Sequence, residues 1–126
     1  MRWRWLVVML LAGCGGEAVV PPTPGTLVLR LASPGVNDGA LLVVLSGGPV
    51  GAVHPADGLE AVQQTDGAGT HLLLVGNVAE GVLATFDVPD VAHASAYVAA
   101  VVQVADRTTF ALLDVAPYRV TVAVQQ

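Results

Sequence analysis

The chain has 126 residues, enough for one domain, and is 54% hydrophobic and 12% charged, which excludes a disordered polymer. It has no lysine, five arginines and ten acidic residues, for a net charge of −5; loss of the first thirteen residues would leave three arginines against ten acids, a net of −7. That balance excludes nucleic acid as a partner, where affinity comes mainly from Lys and Arg on phosphates, and it disfavours attachment to anionic lipid by charge.

The chain begins with a leader pattern. Arg2 and Arg4 form a short positive region, Leu6 to Leu11 an apolar run, and Ala12 and Gly13 a small-residue end. These are the three parts of a secretory signal. The apolar run, from Trp5 to Gly13, is less than half of the roughly 20 residues a membrane-spanning helix needs. The only cysteine, Cys14, follows at once.

Leu11-Ala12-Gly13-Cys14 resembles the lipobox of bacterial lipoprotein precursors. The resemblance implies a diacylglycerol thioether on Cys14, cleavage of the Gly13–Cys14 bond, and usually acylation of the new amine. Acyl chains on Cys14 would then hold the protein on a membrane, at roughly 0.8 kcal/mol per buried CH₂. The expected location is the bacterial cell envelope. Gly15, in place of an aspartate after the cysteine, favours the outer membrane or the periplasmic face by the enterobacterial sorting rule. The alternative is an ordinary N-terminal helix that buries its cysteine.

Three segments follow from this reading: a signal peptide over 1–13, a lipidated N-terminus and Pro-rich tether over 14–25, and a folded domain over 26–126. In the tether, Pro21, Pro22 and Pro24 disfavour helix and favour extended polyproline-II. From Thr26 the texture changes to short aliphatic and β-branched runs divided by Gly, Pro, Asn and Asp, which argues for strands. TLVLRLA (26–32) puts Leu27, Leu29 and Leu31 on one face. PGVNDG (34–39) is a turn cluster. ALLVVLS (40–46) is apolar on both faces and reads as a central strand. A short edge strand is expected near Val50–Val53. LEAVQQT (59–65) and THLLLVG (70–76) form a hairpin through Asp66-Gly67.

GVLATFDV (81–88) alternates, with Val82, Ala84, Phe86 and Val88 on one face and Leu83, Thr85 and Asp87 on the other. YRVTVAV (118–124) does the same with Tyr118, Val120, Val122 and Val124. AYVAAVVQVAD (96–106) is open between strand and helix: its valines favour a strand, its alanines tolerate a helix. TFALLDV (109–115) is a strand or one short helical turn. The expected fold is all-β: a two-sheet antiparallel β-sandwich, Ig-like or cohesin-like, of seven to nine short strands.

GALLVVLS, a hairpin, and then VGNVAEGVLATFDVPD resemble the cohesin and carbohydrate-binding-module class of extracellular sandwiches. The positions that carry the likeness are Gly76, Asn77, Gly81, Val82, Leu83, Phe86 and Val88. The resemblance implies kinship of fold. Cohesins bind dockerins on enzymes, but no partner-binding residue carries over to this chain.

Residues for chemistry are sparse. His54, His71 and His93 have no spacing that makes a metal pair, and a zinc site needs about four converging ligands. Ser46 lies in V-L-S-G-G, without the G-x-S-x-G elbow, and Ser–Lys catalysis is excluded by the lack of lysine. Gly67-Ala68-Gly69 reads as a hairpin loop. Asp87 and Asp90 in D-V-P-D are the candidates for calcium, although Pro89 also suits a strand exit with both acids solvated. Phe86, Phe110, Tyr97 and Tyr118 read as core or half-buried, which argues against a flat aromatic platform for glycan. Tyr118 suits a corner position, its hydroxyl bonded to nearby backbone.

The sequence therefore leads to no catalytic residue and no cofactor. It leads to an envelope lipoprotein that presents a non-catalytic sandwich, a binding or structural module for an envelope or extracellular protein. The alternative is an enzyme or small-ligand carrier whose site forms only in the fold.

Overall fold

The computed structural model describes residues 20–125 apart from positions 34 and 36. The signal region, Gly13, Cys14 and the first part of the tether lie outside the described residues. Eight strands form: β1 (Gly25–Ala32), β2 (Asp38–Ser46), β3 (Val53–Pro55), β4 (Leu59–Asp66), β5 (Gly69–Val78), β6 (Gly81–Val88), β7 (Val98–Asp106) and β8 (Arg119–Val124). A 3-10 helix, Val91–Ala96, lies between β6 and β7.

The strands make two four-stranded sheets, in the orders β3-β6-β1-β8 and β4-β5-β2-β7. All neighbours are antiparallel. The molecule is thus a two-sheet antiparallel β-sandwich. β2, apolar on both faces, is interior to its sheet, as its composition demands.

The order has a consequence for the ends of the sandwich. β1 and β2, β3 and β4, β5 and β6, and β7 and β8 each place one strand in either sheet at matching positions. Their connections, 33–37, 56–58, 79–80 and 107–118, cross between sheets and gather at one end, here called distal. The other connections, 47–52, 67–68 and 89–97, gather at the opposite end. Residues 20–24 enter β1 at that same end, which is therefore proximal to the tether.

The core lies between the sheets. Leu27, Leu29, Leu41, Val43, Leu45, Leu72, Leu74, Leu83 and Phe86 are fully buried. Burying a side chain of this size contributes about 1.5–3 kcal/mol, an upper estimate for each. Phe86 packs on Tyr97 with ring centroids 5.9 Å apart and planes tilted by 57°. At the proximal end Gly47 has φ +105, and a Cβ there would strike the Ala96 carbonyl. Only glycine fits that crossing.

Three local expectations change, and the segment left open between strand and helix becomes a strand. β6 carries a bulge: Leu29 pairs with Ala84 and Arg30 with Val82, leaving Leu83 extra. The bulge turns Leu83 into the core and leaves Val82 exposed, against the clean alternation expected there. The edge strand falls at Val53–Pro55 rather than 50–53, because Val53 pairs with Phe86. Over 96–106 the strand wins from Val98 onward, while Ala96 ends the 3-10 helix. Residues 109–115 form neither strand nor helical turn; Leu112 makes a single bridge to Ala105.

Candidate functional site

The distal end is held by a polar latch. Asp38 opens β2 and is buried. Its Oδ1 accepts the Tyr118 hydroxyl at 3.0 Å and its Oδ2 accepts the Ser33 hydroxyl at 2.9 Å. Tyr118 is therefore a corner residue of a different kind from the one expected. Its partner is a carboxylate 80 residues away, not nearby backbone. Tyr97 makes the backbone contact instead, donating to the Pro49 carbonyl at 2.6 Å. Burial raises both phenol groups above their ordinary value near 10, and for Tyr118 the bond to Asp38 adds to the rise.

Asn37 links the first crossing connection to the last. Its Oδ1 accepts from Arg107 Nη2 at 3.1 Å, and its Nδ2 donates to Thr108 Oγ1 at 2.9 Å and to Asp106 Oδ1 at 3.3 Å. Arg107 Nη1 also donates to Asn77 Oδ1 at 2.9 Å, and the Arg107 N–H donates to the Asn37 carbonyl at 2.8 Å. The guanidinium thus joins the 33–37 connection to the end of β5. Gly39 lets the chain pass this close: a Cβ there would lie 2.6 Å from the Arg107 Cα.

Beyond β7 the chain makes a tight loop around Asp106. The Asp106 Oδ1 accepts the N–H groups of Thr108 at 2.8 Å and Thr109 at 2.9 Å. These bonds lower its carboxyl below the ordinary value near 3.8. The Phe110 N–H donates to the Asp106 carbonyl at 3.0 Å, and the Asp106 N–H to the Ala111 carbonyl at 2.9 Å. The chain then runs back along β7, where the Leu113 N–H meets the Val104 carbonyl at 2.8 Å.

This loop displays two large apolar side chains. Phe110 is 79% exposed and Leu112 is 69% exposed. Phe110 also has φ +60, the one positive φ outside glycine among the described residues. A left-handed conformation costs a residue with a Cβ roughly 1–2 kcal/mol, and Asn or Gly would suit the position better. Strain of this kind gathers where a side chain must be held in one place. Beside Phe110 lies a hollow of about 230 Å³ on the outer face of the second sheet, lined by Ala40, Val75 and Ala105. Leu112 borders a neighbouring hollow of about 210 Å³ with Leu42 and Leu73. Two exposed apolar side chains thus stand on a braced loop next to an apolar hollow.

The proximal end holds the residues weighed as metal ligands. Asp90 caps the 3-10 helix, its Oδ1 accepting from the Ala92 N–H at 3.0 Å and the Thr23 N–H at 3.3 Å. Those two bonds lower its carboxyl below the ordinary value. Asp90 is thus engaged with backbone rather than solvated. Asp87 contacts His54 Nε2 and Thr26 Oγ1, each at 3.4 Å. His93 Nδ1 lies 3.6 Å from Asp90 Oδ2. His71 Nε2 lies 3.0 Å from Asp66 Oδ2 but makes no hydrogen bond to it. Among the described residues no three His, Cys, Asp or Glu side chains converge as metal ligands.

Sequence reading did not single out the Asn37–Arg107 latch, and it expected Phe110 to be core or half-buried; the loop around Asp106 instead turns Phe110 out to solvent. One signal of that loop was present: Asp106-Arg107-Thr108-Thr109 is turn chemistry. The chain matches no protein-family model, no curated protein and no solved structure.

Proposed function

We propose that this chain is a lipid-anchored protein of the bacterial envelope whose sandwich binds another envelope or extracellular protein through the Phe110–Leu112 loop. The reading assigns the anchor to Cys14, after cleavage at Gly13–Cys14, and carries with it a cohesin-like kinship of fold over residues 39–90. The observation that supports it best is the exposure of Phe110 and Leu112 on a braced loop at the end opposite the tether. Thr23 is tied to Asp90 and Val91, and β1 starts at Gly25, so the tether of this reading is residues 15–22. Extended at roughly 3.1 Å per residue, it gives a reach of about 25 Å and would hold that loop away from the bilayer.

Two variants test the two halves of the reading. Cys14→Ser should leave the membrane fraction, and the parent N-terminal peptide should carry diacylglycerol by mass spectrometry. Phe110→Asp should stay on the membrane but lose the stoichiometric partner that the parent captures from its own envelope. A Cys14→Ser chain that fractionates with membranes as the parent does contradicts the anchor. Equal capture by Phe110→Asp contradicts the loop.

A further inference from the structure

Four strands end the two sheets, and three of them are protected. β3 is three residues long and closes on Pro55. β4 carries Glu60 and Asp66. β7 carries a bulge at Val102, since Leu42 pairs with Gln103 and Val43 with Val101, and its last three residues, Val104 to Asp106, are paired by residues 111–113. Short length, proline, charge, a bulge and coverage are the usual means of keeping a sheet edge from pairing with another chain.

β8 has one charge, Arg119 at its start, and no other of these protections. Among the described residues it pairs with β1 alone, and from Val120 to Val124 it is an uncharged run of Val, Thr and Ala. The Gln125 N–H donates to the Thr26 carbonyl at 3.1 Å. Antiparallel alternation then directs the backbone groups of Arg119, Thr121 and Ala123 toward β1, and those of Val120, Val122 and Val124 outward. Among the described residues nothing pairs with these outward groups.

We infer that β8 is an assembly edge that pairs antiparallel with β8 of a second copy of this chain. The strand is self-complementary in one register. Centred on Val122, it sets Val122 against Val122, Val120 against Val124, Thr121 against Ala123, and Arg119 against Gln125. All outward groups of both strands then pair with each other. The one charge meets an uncharged residue, and no like charges oppose across the strands. Val120 and Val122, half-buried, and Val124, exposed, extend the core across the two-fold axis. The result is a continuous eight-stranded sheet. The inference rests on the free edge and does not depend on the anchor or on the Phe110 loop.

The test uses the full chain in detergent, followed by sedimentation over a concentration series. The parent should pass from monomer to dimer. Amide exchange at Val120, Val122 and Val124 should slow as it does. Thr121→Glu with Ala123→Glu opposes like charges twice across the two-fold axis and should keep the chain monomeric at an unchanged melting temperature. Thr121→Glu with Ala123→Arg opposes unlike charges and should restore the dimer. A parent that stays monomeric up to millimolar concentration overturns the inference. So does a dimer that the double-Glu variant leaves intact, because it would use another surface.

Discussion

The Tyr118 hydroxyl donates to Asp38 Oδ1 at 3.0 Å, joining two buried residues 80 positions apart. Asp38 opens β2 and Tyr118 leads into β8, so this bond ties the first crossing connection to the last across the distal end. Tyr118→Phe leaves a buried carboxylate oxygen short of a donor. The expected cost is about 1–3 kcal/mol, read by urea unfolding.

The same bond has a pH signature. Burial and the Asp38 contact raise the Tyr118 phenol in the fold, and burial raises Tyr97 as well. A raised value means that the neutral phenol is favoured by folding. That contribution is whole below the unfolded value near 10 and is lost as pH rises through the higher folded value. Stability should therefore fall at alkaline pH, and Tyr118→Phe should fall less steeply than the parent.

At acid pH the sign reverses. Backbone hydrogen bonds lower the carboxyls of Asp90 and Asp106. Their contributions are present above the unfolded value near 3.8 and are lost as pH falls through the lower folded values. Unfolding free energy measured downward from pH 6 should drop below about pH 4, the ordinary carboxylate range. Asp106→Ala should flatten that drop and loosen the Phe110 loop, whereas Asp90→Ala should flatten it while loosening the proximal end.

Phe110 separates stability from display. Its side chain is solvent-exposed and its φ is positive, so Phe110→Gly removes strain at little loss of burial. The variant should be more stable by about 1 kcal/mol, after allowance for glycine's larger unfolded-state entropy. It should also lose binding at the loop. A residue kept at a cost to the fold is expected where its side chain is used.

Phe86 probes the core. It is fully buried against Tyr97. Phe86→Ala should cost about 3–5 kcal/mol, since both transfer and cavity contributions are lost.

The architecture was legible wherever alternation met a single buried face. β1 and β8 show the expected period of two, and the doubly apolar 40–46 run is an interior strand. Leu83 escaped because a bulge belongs to the pairing of two strands and not to the residues of one. The 3-10 helix escaped because one capping aspartate after Pro89 resembles any strand exit. The distal latch joins Asn37, Asn77 and Arg107, distant in sequence, through side-chain amides that leave no periodic trace. The exposure of Phe110 escaped because an aromatic side chain reads as core, and phenylalanine has no preference for the positive φ that turns it outward.

The most direct measurement of the account is photocrosslinking in intact cells from a benzophenone side chain placed at position 110 of the full chain, compared with one at position 93. The account calls for a discrete crosslinked protein in the membrane fraction from position 110, at the distal end, and none from position 93, near the tether. No product from position 110, or the same product from both positions, would contradict it.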